Sequence, residues 1–556
     1  MGVLSVVDYI IFLVYFLLVA LYGIGVYRKK QMTRYGVRDY FLAEGSLTWW
    51  AIGASLIASN ISAEQFIGMS GAGFKMGLAI ASYEWMSALT LIVVAIFFIP
   101  VYLKNKIYTM PQFLSRRYNN TVAMVMAVFW LLLYVVVNLT SILYLGALAI
   151  NSISGININI CMVGLAIFAI GIALGGMQVI GYTDVIQVFF LIFGGLVTTG
   201  IALNLVASHN GSSGIWNGLS ILKQQAPDHF HMIFDQTNPN YMDLPGLSVL
   251  IGGLWIANMN YWGCNQYITQ RALGADLKTA RNGILFASFL KLLMPLIVVL
   301  PGIAAFVLFK QNLLHSSMIN GGDANPDQAY PVLLNLLPQG LKGLSFAALT
   351  AAVVASLAGK VNSIATIFTL DVYHKVFNRQ ADDKTLVLTG KITLVAAMLI
   401  AVFIAPHLGI DKKGGFQYIQ EYTGFVSPGI LATFVLGFFW KRATAGAAMF
   451  AIVGGFMLAI LLKALPLVMD LFFLHKWGWS VANTEGIYEI PFLDRMFIVF
   501  VICLISMVII SLGGREEEDV EREWRFNIGM FRVTQGFAIG SILVIGLLAA
   551  LFVLFW

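Results

Sequence analysis

Residues 49–71 read WWAIGASLIASNISAEQFIGMSG. Ser55, Ser59, Asn60, Ser62, Glu64 and Gln65 interrupt a stretch otherwise apolar and long enough to cross a bilayer. A polar, glycine-containing span is costly in lipid unless it lines a cavity, where unwound backbone can serve as ligand. Roughly 200 residues later the feature recurs. Residues 252–266 read GGLWIANMNYWGCNQ, two glycines followed by Asn258, Asn260, Asn265 and Gln266. Four further spans follow each stretch. Two five-helix units, each opening with an interrupted helix, are the pattern of inverted-repeat transporters with a central binding site. The expected division is a first helix and inner loop at 1–47, one repeat at 48–207 and an external loop at 208–245. A second repeat at 246–440 and three additional helices at 441–556 complete it. On pattern alone, two ordinary helices with polar packing faces would also serve.

The rest of the chain sets the solvent. Of 556 residues, 59% are hydrophobic and 11% charged, with a mean hydropathy of +0.84. Soluble domains carry about 25% charged residues, so lipid is the medium. Apolar runs such as Tyr9–Val26, Ile92–Tyr102, Val122–Ala149 and Phe537–Trp556 recur from end to end. Dividing the chain at its polar breaks predicts about fourteen helical spans. None of these runs shows the period-2 alternation of barrel strands, so the fold is predicted to be all-α and polytopic. The net charge of +6 sits in short loops, not on one stripe, which excludes a nucleic-acid partner.

The basic loops orient the chain. Arg28–Leu47, Lys104–Asn119, Gln270–Asn282, His374–Lys384, Trp440–Arg442 and Arg515–Arg532 hold most loop Lys and Arg and are placed inside. Both termini then face outward, from an inner (plasma) membrane. The N-terminus lacks a basic n-region and a cleavage site, so its apolar run is read as a retained helix. Cys161, Cys264 and Cys503 lie far apart in apolar runs and suit packing, not disulfides or a metal. The histidines (209, 229, 231, 315, 374, 407 and 475) sit in or beside loops without a metal or triad arrangement, so an enzyme is not expected.

Seven stretches resemble the sodium–solute symporter family. They are Ala54–Gly71, Leu78–Ser87 (LAIASYEWMS), Asn138–Ala147 (NLTSILYLGA), Thr183–Phe190 (TDVIQVFF), Gly252–Arg271, Asn362–Tyr373 (NSIATIFTLDVY) and Phe416–Gly429 (FQYIQEYTGFVSPG). The resemblance covers nearly the whole chain in the same helix order, and is strongest to sugar-carrying members. It implies a LeuT-type core and Na⁺-coupled uptake of a hexose of the galactose or glucose type. A sugar needs amides and charged groups for its hydroxyls and an aromatic platform for its ring. By resemblance, Asn60, Gln65, Glu84, Ser87, Asn258, Tyr261, Lys291 and Gln420 are the sugar contacts. Tyr261 is also the inner gate, and Met69, Tyr83 and Phe416 form the outer lid. Individually these residues have plainer roles: Asn60 or Asn258 as helix-interface bonds, Lys291 as a snorkelling cation, the aromatics as core. Asn260 stands where an aromatic is expected beside the gate, and Cys264 replaces a larger apolar residue.

The cation site follows in the same way. An unwound helix exposes carbonyls that have lost their partners. By resemblance, Ala58, Ile61 and Ala352 give backbone oxygens and Ser356 its hydroxyl, whereas Ala355 stands where a second serine is usual. Ala358 and Gly359 lack the hydroxyls of a second Na⁺ site, so one Na⁺ per sugar is expected. Asp184 is read either as an exit-path carboxylate or as a solvated loop-edge charge. The same fold could carry inositol, sialic acid, a carboxylate or an amino acid. An anion would favour an arginine aimed at it, yet the core spans read as free of Arg and Glu84 would repel it. A transporter-like sensor would add a signalling domain, where this sequence ends in a span at Trp556.

Overall fold

Lipid leaves the backbone no hydrogen-bond partner but itself, and the chain is helical almost throughout. The computed structural model describes residues 4–31, 40–41, 47–314, 318–320, 323–407, 415–483, 485–514 and 527–556. The loop charges Arg34, Arg38, Arg515, Arg522 and Arg525 and the acidic run Glu516–Asp519 lie outside these residues. Strand among the described residues is confined to two antiparallel pairs, Ile319–Asn320 with Asp323–Ala324 and Val481–Ala482 with Tyr488–Glu489. Ten helices are long and apolar enough to cross a membrane, or eleven if Phe416–Gly424 and Ser427–Phe439, bent by 51°, count as one. Fourteen spans were expected. The difference falls at Trp49–Asn60, Gly253–Met259 and Ile158–Ala173, with 12, 7 and 16 residues each too short to span alone.

Burial ranks the helices. The most apolar window of Leu341–Phe377 is 94% buried and that of Val6–Val26 only 17%, so the former is central and the latter faces lipid. Around Leu341–Ile367 pack Val6–Gln31, Trp49–Asn60, Ile158–Ala173, Gly176–His209 and Asp383–Ile404. Trp49–Asn60 in turn lies against Leu277–Val298. There a Cβ on Gly53 would sit 2.6 Å from the Gly283 carbonyl, and one on Gly283 2.8 Å from that of Trp49. This small-residue crossing holds one interrupted helix close to the helix that carries Lys291. At Gly77, φ is +72°, and a Cβ would meet the His229 backbone at 2.4 Å, so only glycine makes this turn.

Two of the segments expected as inner loops contain helix and buried charge. Within Lys104–Asn119 the chain forms a helix, Met110–Arg117, and Arg117 is buried. Its guanidinium donates to the carbonyls of Gly437 (2.8 Å), Trp440 (2.7 Å), Ala443 (3.1 Å) and Lys441 (3.2 Å), capping the end of Ser427–Phe439. Gln270–Asn282 begins inside another helix, Gln266–Leu273, where Gln270 and Arg271 are buried. The core therefore does contain an arginine. A polar local sequence resembled a loop, and burial was decided by distant partners.

Candidate functional site

The first interrupted helix ends with the Ile61 N–H on the Ile57 carbonyl (2.8 Å), and Ile61 itself is extended at φ −85°, ψ 103°. The next donor, the Ser62 N–H, turns to Gln65 Oε1 (3.0 Å), so the Ala58 carbonyl loses its helical partner. The Ser62 hydroxyl accepts from the Glu64 N–H (3.1 Å) and donates to Gln65 Oε1 (3.2 Å). Ser62-Ala63-Glu64-Gln65 is thus a variant capping box that starts the π-helical turn Glu64–Met69. Gln65 has one end committed to the backbone, and only its amide NH₂ remains for a ligand. The second interruption is at Asn265 (φ −97°, ψ 120°), after the π-helical turn Asn260–Cys264. Asn265 Oδ1 accepts from the Tyr267 N–H (3.1 Å) and from the Tyr134 hydroxyl, which starts Gln266–Leu273.

Between the two breaks lies a cavity of about 60 Å³. Asn60, Gln65, Glu84, Ser87, Asn258, Tyr261 and Gln420 all line it, together with Tyr83 and Phe416. Lys291 stands behind the wall: its fully buried Nζ donates to Glu84 Oε2 (2.5 Å) and to Asn60 Oδ1, over the Trp262 ring at 5.3 Å. It does not snorkel. Ser87 Oγ donates to Asn258 Oδ1 (2.6 Å), leaving the Asn258 amide nitrogen without a partner among the described residues. Tyr83 and Phe416 meet edge to face, with ring centres 5.0 Å apart. Met69 is fully buried but is not part of the lining.

Six lining residues escaped the sequence reading: Glu64, Ala257, Thr423, Gly424, Ser427 and Met496. Glu64 carried a usable signal, since an intramembrane carboxylate is functional by default. Met496 comes from Phe492–Gly513, one of the additional C-terminal helices, and in sequence is one more apolar residue in an apolar run. Asn260 does not line the cavity; its Nδ2 donates to Ser427 Oγ (3.0 Å) and ties the second interrupted helix to the bent pair.

Ser356, on the central helix, donates through Oγ to the carbonyls of Ser59 (3.1 Å) and Ala58 (3.3 Å). The Tyr267 hydroxyl also donates to the Ser59 carbonyl and lies 3.4 Å from that of Ser356. Ala58, Ile61, Ala352, Ala355 and Ser356 are all buried. A released carbonyl facing a hydroxyl in a dry site is the oxygen chemistry that a hard cation takes. The Ser59 carbonyl was not foreseen beside these groups.

Asp184 is buried, not a solvated loop charge. Its Oδ2 accepts from Ser55 Oγ (2.5 Å) and lies 3.6 Å from Arg271 Nη2, while Arg271 Nε donates to Ser55 Oγ (2.8 Å). This relay joins three helices. Removing one partner of a buried pair strands the other charge, at a cost of about 3–5 kcal/mol. Thermal unfolding in detergent should therefore show Arg271→Met destabilised more than the neutral double variant Arg271→Met/Asp184→Asn. Equal losses in the two would mean that the charge pair is not what holds these helices.

Among the described residues no group of three or more His, Cys, Asp or Glu side chains is arranged to hold a metal. Residues 40–455 match the model of the sodium:solute symporter family. The chain is 46% identical over 564 aligned positions to a sodium/glucose cotransporter of Vibrio parahaemolyticus, covering 100% of this chain and 99% of that protein. It is 32% identical to sodium/myo-inositol cotransporter 2 of Oryctolagus cuniculus, covering 84% of this chain and 71% of the relative. In structure it is similar to a Na⁺-coupled sialic acid symporter in a substrate-bound outward-open state, with a TM-score of 0.75 over 92% of this chain and 98% of that one. At 22% identity that likeness speaks for the fold alone. The chain belongs to the sodium:solute symporter family: it is a membrane transporter, not an enzyme, and couples the movement of a solute to Na⁺.

Proposed function

We propose that this transporter carries a hexose of the galactose or glucose type into the cell with one Na⁺. The observation that carries the reading is the lining of one cavity. Amides from Asn60, Gln65, Asn258 and Gln420, a carboxylate held by a buried ammonium, and the rings of Tyr261, Tyr83 and Phe416 converge there. Such a set suits a neutral polyol with an apolar ring face. Glu64 and Glu84 both face the cavity, and Lys291 is already committed to Glu84, which disfavours an anionic solute. Na⁺ is assigned to the Ala58, Ile61 and Ala352 carbonyls and the Ser356 hydroxyl, with the Ser59 carbonyl beside them and Ala355 adjacent.

In this reading the two interrupted helices open inverted repeats at 48–207 and 246–440. Counting both of them and Ile158–Ala173 as crossings brings eleven spans to fourteen, with both termini outside an inner membrane. Asp184 lies on the inward route of the ion. One charge moving through 100 mV supplies about 2.3 kcal/mol. A tenfold Na⁺ gradient adds about 1.4 kcal/mol. Together they support sugar accumulation of roughly several-hundred-fold.

The test is uptake of labelled galactose, glucose and myo-inositol into proteoliposomes, with Na⁺ flux measured in parallel. A hexose should move only with inward Na⁺, at a flux ratio near one. Preference for inositol would reassign the solute, and a ratio near two would require another set of oxygens.

A further inference from the structure

Lys360 follows Ser356 by one helical turn and so shares its face of the central helix. It is buried, with Nζ 3.0 Å from Asn138 Oδ1, 4.5 Å from the centre of the Tyr267 ring and 5.5 Å from that of Tyr134. Tyr267 is the residue whose hydroxyl donates to the Ser59 carbonyl. One aromatic ring therefore separates this ammonium from the oxygens assigned to Na⁺. The Arg271 guanidinium carbon lies 4.9 Å from the centre of the same ring. A Cβ on Gly359 would come 2.5 Å from Arg271 Nη2 and 2.7 Å from the Tyr267 ring, so a hydroxyl-bearing side chain has no room there.

The two cations have separate counter-charges. Arg271 has Asp184, and the carboxylate acting electrostatically on Lys360 is Glu64. Glu64 lines the solute cavity, and its Oε1 has no hydrogen-bond partner among the described residues. A methionine would fill nearly the volume of Lys360 without the cost of burying an ammonium. The charge itself is the feature to explain.

We infer that Lys360 is a resident cation of the ion site: its tethered ammonium holds the positive charge that a second Na⁺ would bring, and it sets how tightly the single Na⁺ binds. The inference rests on the ion site assigned under the proposed function. A Na⁺ at Ala58, Ser59 and Ser356 meets a like charge across the Tyr267 ring, in a region where screening is weak. Glu64 offsets that charge from the solute side, and its carboxylate, which lines the cavity, links the ion site to the solute.

The experiment titrates the full-length protein in detergent with NaCl against choline chloride, reading thermal stability and tryptophan fluorescence. Lys360→Met should lower the half-saturating Na⁺ concentration about tenfold, or about 1.4 kcal/mol, whereas Lys360→Arg should leave it near wild type. Glu64→Gln, which removes the offsetting charge, should raise it. Opposite shifts from the two partners are the signature, because simple loosening of the site would weaken Na⁺ binding in both. An unchanged or raised value in Lys360→Met overturns the inference. Should that variant not fold, an unchanged or lowered value in Glu64→Gln overturns it instead. Ser356→Ala separates the layers. Na⁺ binding lost there but unaltered in Lys360→Met and Glu64→Gln sinks only this inference; binding retained in Ser356→Ala sinks the assigned ion site.

Discussion

Lys291→Ala should reduce Na⁺-driven solute uptake by about 100-fold or more, and Glu84→Ala by a similar factor. A hydrogen bond to a charged group is worth about 1.5–3 kcal/mol. Lys291 makes two, to Glu84 and to Asn60, and both acceptors line the cavity. Its removal disturbs two residues of the cavity wall at once and leaves Glu84 charged, buried and without its ion-pair partner. That second effect also threatens folding, by about 3–5 kcal/mol. The double variant Glu84→Gln/Lys291→Met separates the two. It should unfold at a higher temperature than Lys291→Ala yet remain inactive, because neither neutral group reproduces the charge-assisted contacts. Gln65→Ala should also impair uptake strongly, since the change removes a ligand donor and uncaps Ser62. Wild-type uptake in all three single variants would show that the solute binds elsewhere.

Ser356→Ala should abolish Na⁺-driven uptake while leaving Na⁺-independent solute exchange partly intact. The Ser356 hydroxyl is the side-chain oxygen facing the released Ala58 carbonyl and the Ser59 carbonyl, and Ala355 has already removed a neighbouring oxygen. Hard cations are held by summed oxygen contacts, so a site short of one ligand is shallow and sensitive to losing another. Ala355→Ser tests the converse. If the new hydroxyl reaches the ion, the Na⁺ concentration for half-maximal uptake should fall, by up to about tenfold for about 1.4 kcal/mol. Titrating uptake against Na⁺ in both variants decides the matter. Ser356→Ala still driven by Na⁺, beside an Ala355→Ser curve lying on that of wild type, would remove this helix from the ion site.

Part of the site could have been read more fully from the chain. Ser62-Ala63-Glu64-Gln65 has the S-x-x-Q spacing of a capping box, which marks a helix start inside residues 49–71 and places the break one residue earlier, at Ile61. Glu64 met the same test as Glu84, a carboxylate within a span. Arg271 did not yield to local reading. The residues around it are polar enough to resemble an inner loop, and its burial is made tolerable by Ser55, Asp184 and the carbonyl and ring of Tyr267. Lys360 was passed over for a similar reason: in a helix of small and apolar residues, nothing local shows that Asn138, Tyr134 and Tyr267 surround its ammonium.

By itself the sequence determined the solvent, the helical class, the two places where helices break and most of the cavity lining. The first three follow from short-range quantities: the length of apolar runs, the cost of a polar group in lipid and the preference of particular residues for helix ends. The lining came through resemblance to the family. The tertiary structure alone decided how those residues are used. It set Lys291 behind the cavity wall, gave half of Gln65 to the backbone, brought Met496 in from an accessory helix, and gathered Asp184, Arg271 and Lys360 around Ser55 and Tyr267. Those outcomes depend on side chains far apart in sequence meeting in a low-dielectric interior. There a charge is tolerated only beside a partner, and packing of the whole chain selects which partner that is.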